Sequence, residues 1–118
     1  MSEFDREKSF FNRSVAKCDR PLTKAWYRFV GAAGQQMPTK CVPMNHCGAN
    51  APGWLSGGHP TVAQGIVMRK VCFHWKRGCC HWSRSVRVQN CGAFFVYELT
   101  ATAGCSMRYC GDNRLGRG

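Results

Sequence analysis

Apolar and polar positions alternate most clearly in the segment 82–99. Trp82, Arg84, Val86 and Val88 fall on one side of an extended chain, and Ser83, Ser85, Arg87 and Gln89 on the other. A period of two belongs to a half-buried strand. Ala93–Leu99 follows, aromatic and β-branched, and Asn90-Cys91-Gly92 between the two runs is turn chemistry. The stretch therefore predicts a central β-hairpin. Ala25–Val30 predicts another strand, closed by Gly31 and Gly34, and Gly65–Trp75 predicts a third, apolar and basic with a β-branched start. Residues 44–65 hold Pro52, Gly53, Gly57, Gly58, Pro60 and Gly65, which predicts a long irregular region. Helical periodicity is weak. Thr61–Met68 allows one turn, and Gly65 with Ile66-Val67 opposes a longer helix. The fold class predicted is a small disulfide-rich domain, mainly β (a β-dominated α+β arrangement), with long irregular loops.

Length adds that 118 residues make one domain. Its longest apolar runs, such as Ala93–Tyr97, are far short of the roughly 20 residues of a membrane-spanning helix. Residues 1–17 are charged apart from Phe10-Phe11, and the Gly- and Arg-rich end, 112–118, is expected to be a flexible tail.

Nine cysteines change the picture most. No C-x2-C pair occurs, although His46, His74 and His81 lie beside cysteines, so zinc is a poorer account than disulfides. Adjacent Cys79-Cys80 are expected to point opposite ways and cross-link two separate segments, because a vicinal bridge needs unusual backbone geometry. An odd count leaves one cysteine without a partner in this chain, and spacing alone does not choose the pairing. Met1–Lys8 is acidic and polar, with no apolar signal core. Together these lead us to expect a piece of a larger secreted protein, or an incomplete gene sequence; the alternative is a cytosolic protein with free thiols.

Catalytic chemistry has little to work with. Four of the six carboxylates, Glu3, Asp5, Glu7 and Asp19, sit near the start, leaving Glu98 and Asp112. An acid–base pair or a Ser-His-Asp triad would have to be assembled from that end. Cys91 with His46 could form a nucleophile pair on paper, but structural cysteines are the simpler reading. Gly31-Ala-Ala-Gly34 is too short for a phosphate loop. No enzyme activity, cofactor or metal site is expected.

Charge points elsewhere. The net charge is +11, and Arg20 through Tyr97 contains ten Lys or Arg and no acid. Such a surface attracts polyanions, either sulfated glycans or nucleic acid. Arg69, Lys70, Lys76, Arg77, Arg84 and Arg87 are the candidate contacts, with Phe73, Trp75 and Trp82 interleaved as stacking groups. The alternative is that the aromatics are core and the charges solvate the surface. Asn12-Arg13-Ser14 is a glycosylation sequon.

A longer pattern runs through the chain. Trp26-Tyr27-Arg28-Phe29-Val30-Gly31 leads to Cys41-Val42-Pro43 and Cys47, then Ala51-Pro52-Gly53-Trp54-Leu55, His59-Pro60 and Gly65–Lys70. Cys72, His74-Trp75, Cys79-Cys80, Val86–Cys91, Tyr97 and the pair Cys105 and Cys110 complete it. This resembles the cysteine-rich, eight-cysteine domain of the uromodulin and pancreatic zymogen-granule membrane glycoprotein family, over 12–111, with 1–11 a divergent extension. The resemblance implies bridges Cys18–Cys105, Cys41–Cys79, Cys47–Cys110 and Cys72–Cys80, with Cys91 unpaired here because its family partner lies upstream. It implies an extracellular, non-enzymatic binding or structural module, secreted or in an ectodomain and not inserted in a membrane. Neighbouring modules of a parent chain, microbial lectins or anionic glycans would be its partners. The family's sequon before His-Pro is replaced here by Ser56-Gly57-Gly58, and the stretch after Tyr97 reads Glu98-Leu99-Thr100. Asn12 is the acceptor that remains for a glycan-displaying decoy role.

Overall fold

A computed structural model describes residues 1, 6, 18–20, 22–102 and 107–112. Six strands form one sheet: β1 Ala25–Tyr27, β2 Ala51–Ser56, β3 Ile66–Trp75, β4 Gly78–Asn90, β5 Phe95–Leu99 and β6 Met107–Tyr109. Their spatial order is β1-β5-β4-β3-β2-β6. Every neighbouring pair is antiparallel except β2–β6.

The alternation read in 82–99 is the physical design of β4. Val86 and Val88 are buried, while their neighbours Ser85 and Arg87 are exposed. Register carries the same face across the sheet: Val88 lies opposite Tyr97, and Leu55 opposite Val71. Those residues form the main core with Phe73, Leu99 and Tyr109. The segment after β1 adds Phe29, Ala33 and Met37 to it. Phe29 meets Tyr97 edge-on at 5.6 Å, a favoured aromatic geometry. The Tyr97 hydroxyl accepts a hydrogen bond from the Met37 amide at 2.9 Å, so its own proton points to His59 Nε2, 2.7 Å away. Its burial pushes the Tyr97 phenol above the ordinary tyrosine value.

Two expectations need adjusting, and the one-turn reading of Thr61–Met68 holds. The strand expected over Ala25–Val30 ends at Tyr27, and Phe29 leaves the sheet for the core. Thr61–Met68 holds one short 3₁₀ turn, Val62–Gln64, with a Thr61/Gln64 capping box, before β3 begins. The region 44–65 is not irregular throughout, because it contains β2, pairing with β3 on one side and β6 on the other. Its Pro-Gly step misleads for a local reason. A Cβ on Gly53 would stand 2.7 Å from the Phe73 ring and 3.1 Å from the Arg108 carbonyl. Glycine is there to let two neighbours approach, not to make a turn.

A buried ionic node ties the early chain to β6. Arg6 grips Asp19 with two hydrogen bonds, 2.8 and 2.7 Å, and also donates to the Tyr109 carbonyl at 3.0 Å. Asp19 accepts the Tyr109 amide at 2.7 Å. Arg6 and Asp19 are 5% and 3% exposed, so this pair is largely out of water.

Candidate functional site

Three cystines lie among the described residues: Cys41–Cys79, Cys47–Cys110 and Cys72–Cys80. Adjacent Cys79 and Cys80 therefore bridge to different segments. Cys18 is also disulfide-bonded, while Cys105, the partner implied for it, lies outside the described residues, as does Asn12. Cys91 is a free, exposed thiol beyond the end of β4. Cys47 and Cys110 are buried in a small second core with Val42, against which Trp54 packs.

A polar cluster surrounds one of these bridges. The β3–β4 register shifts between Phe73 and Trp75, and His74 sits at that irregularity. Such breaks re-aim a side chain that a regular strand would hold in line. His74 Nδ1 lies 2.7 Å from the Val42 carbonyl and 3.4 Å from Cys41 Sγ. A carbonyl only accepts, so Nδ1 carries the proton. Trp54 Nε1 donates to the Cys79 carbonyl at 2.8 Å and secures the other half of the bridge. Donor atoms of Cys41, His74 and Cys79 fall within 4.8 Å of one another. Both sulfurs are committed to their mutual bond, however, and offer no thiolate to a metal.

The six candidate polyanion contacts are divided by the sheet. Lys70 and Arg87 belong to the outer face, opposite Ser85 and Met68. Arg69 and Arg84 fall in the inward register with Val71 and Val86. Arg69 donates to the Gly58 and Met68 carbonyls, both at 3.0 Å. Arg84 lies close enough to Tyr109 to oppose part of the burial that pushes its phenol up to about 12. Lys76 and Arg77 form the β3–β4 turn. Of the aromatics, Phe73 is core, and Trp75 stacks on Trp82 at 6.5 Å.

Arg87 is also neutralised. Its guanidinium makes paired hydrogen bonds to Glu98 of 2.7 and 3.0 Å, beside exposed Trp26 and Met68. That hydrogen bonding, more than the charge alone, holds the Glu98 carboxyl below its ordinary value. A lowered carboxyl contributes stability that is present above its unfolded value and lost as pH falls through the folded one. A carboxyl NMR titration should thus show Glu98 protonating later on acidification than an ordinary glutamate, and Arg87→Ser should return its midpoint upward. An identical midpoint in both proteins would rule out the pairing in solution.

This cystine framework can be set beside known proteins. A family model described as uromodulin-like matches residues 27–111. The chain belongs to the uromodulin-like family. Pancreatic secretory granule membrane major glycoprotein GP2 of Canis lupus familiaris is 52% identical over 96 residues, 80% of this chain and 19% of the relative. The Rattus norvegicus protein of the same name is 47% identical over 103 residues, 84% of this chain and 19% of the relative. Uromodulin of Mus musculus is 46% identical over 96 residues, 80% of this chain and 15% of the relative. The chain thus spans about a fifth or less of these proteins. In this uromodulin-like domain, no helix among the described residues is long and apolar enough to cross a membrane.

Reading the sequence missed two groups of residues. Arg6 and Asp19 carried no periodic signal, since an ion pair thirteen residues apart needs the fold to close it. His74 was visible beside Cys72, but its aim toward Cys41 depends on the sheet irregularity.

Proposed function

We propose that this chain is a non-enzymatic, extracellular module of a larger secreted or cell-surface protein, holding a rigid β-scaffold for neighbouring modules and ligands. The observation that carries this reading is the cystine layout. Cys41–Cys79 and Cys47–Cys110 fasten the strand-free 38–50 segment to the sheet and to the return after β6, and Cys72–Cys80 clips the β3–β4 hairpin. Disulfides serve this way in oxidising compartments. Relatives named as a secretory granule membrane glycoprotein support the same compartment.

Neighbouring modules of the parent chain and anionic glycans are the proposed partners; lectin engagement would run through a glycan on Asn12. Polyanion binding through Arg69, Lys70, Lys76, Arg77, Arg84 and Arg87 is the weaker alternative, because these residues are spread over two faces and a turn. The test is production through a secretory pathway, followed by non-reducing peptide mapping and near-UV circular dichroism. The three bridges among the described residues should be recovered together with a bonded Cys18, and reduction should abolish the near-UV signal. A fully reduced chain with the same signal and the same melting temperature would overturn the proposal.

A further inference from the structure

Beyond stapling, the Cys41–Cys79 bridge is set apart from the other two described cystines by its surroundings. Cys79 is exposed at the start of β4, and Cys41 is half-buried with its sulfur 3.4 Å from His74 Nδ1, whose N–H also reaches the Val42 carbonyl at 2.7 Å. Cys47 and Cys110 are both fully buried, which denies a nucleophile access. Cys80 is exposed, but its partner Cys72 is 3% exposed, and burial in apolar surroundings disfavours a thiolate there. Only a bridge with one open sulfur and one stabilised leaving sulfur meets both demands of thiol–disulfide exchange.

We propose that Cys41–Cys79 is an exchange site for small anionic thiols. A thiolate attacks Cys79 Sγ. A new disulfide forms between Cys79 and the small thiol, the Cys41–Cys79 bond breaks, and its electron pair leaves on Cys41 Sγ. The His74 Nδ1–H, which in the closed bridge is accepted by the Val42 carbonyl at 2.7 Å, is then shared with that thiolate, 3.4 Å away, which afterwards takes a proton from solvent. The bridge is the oxidant and the thiol the reductant, so no other redox partner is required. Charge-assisted donors of this kind are the strong ones.

The surroundings favour an anionic attacker. Lys76 and Arg77 precede Gly78 and Cys79 in the β3–β4 turn, and Lys40 adjoins Cys41. The hydrogen bond from Trp54 to the Cys79 carbonyl acts on the backbone. It can therefore hold Cys79 in place while its sulfur changes partner. His74 is thus a positioning residue that acts on the leaving group.

The test uses the oxidised full chain with Cys91 capped by N-ethylmaleimide. Reduced glutathione is the probe, followed by iodoacetamide trapping and peptide mapping. Glutathione should appear first on Cys79 and alkylation on Cys41, with Cys47–Cys110 and Cys72–Cys80 intact. His74→Leu should slow opening of this bridge about tenfold, the size of effect one charge-assisted hydrogen bond supplies. His74→Asn, which keeps an N–H donor, should stay within about threefold of the parent. Should His74→Leu fail to fold, the order in which the bridges of the parent chain open still decides the matter. First attack at Cys80, or equal rates in the parent and a folded His74→Leu variant, would overturn the proposal. Resistance of all three bridges would also overturn it, while leaving the stapling role intact.

Discussion

Replacing Asp19 with alanine should destabilise the domain by about 3–5 kcal/mol, the usual consequence of stranding one member of a buried ion pair. Whole domains are stable by only about 5–15 kcal/mol, so much of the margin would go. Two losses combine in this variant. The Arg6 guanidinium would keep its charge in a site 5% exposed to water, and the Tyr109 amide would lose its acceptor. The Asp19 backbone would still receive the Thr102 amide and donate to the Met107 carbonyl. The loss should therefore be traceable to the side chain. Arg6→Met alone should also destabilise. The double variant Arg6→Met/Asp19→Leu should recover part of the deficit, because neither member of the pair then leaves a charge behind. Urea unfolding of the four proteins at one pH measures each step. A loss below about 1 kcal/mol for Asp19→Ala would show that the pair is solvated in solution, as surface pairs are.

The second large effect concerns the cystines. Removing Cys47–Cys110 by Cys47→Ala/Cys110→Ala should cost about 4 kcal/mol, since the bridge closes a separation of 63 residues. Cys72–Cys80 closes only 8 and should cost about 2.5 kcal/mol by the same chain-entropy account. Loop length acts on the unfolded ensemble, where a longer tether removes more conformations. Packing adds in the same direction here, because Cys47 and Cys110 belong to the small core with Val42. Thermal unfolding of the two double variants under non-reducing conditions gives the ranking. A larger loss for the Cys72–Cys80 pair would mean that native-state strain or local packing, rather than loop length, sets the stability contributed.

Local patterns determined much of the sheet. The alternation at 82–90 marked β4, the turn residues Asn90-Cys91-Gly92 placed the β4–β5 connection, and the β-branched start of Gly65–Trp75 marked β3. Each of these signals lives within a few residues, where side-chain period and turn chemistry act directly on the backbone. Cysteine number and parity likewise needed no structure to indicate a stapled chain with one thiol left over.

Tertiary structure decided the rest, because the deciding contacts join distant residues. Strand β2 is hidden behind Pro52-Gly53, and only the Phe73 ring pressed against Gly53 explains that glycine inside a strand. The ion pair of Arg6 with Asp19 exists because β6 returns to shield both. Clustering of the six basic residues along the chain left their convergence open, and the pleat sends Arg69 and Lys70 to opposite faces. His74 became part of the Cys41–Cys79 cluster through a register shift in β3, and no one-dimensional pattern encodes where an irregular strand turns its side chain.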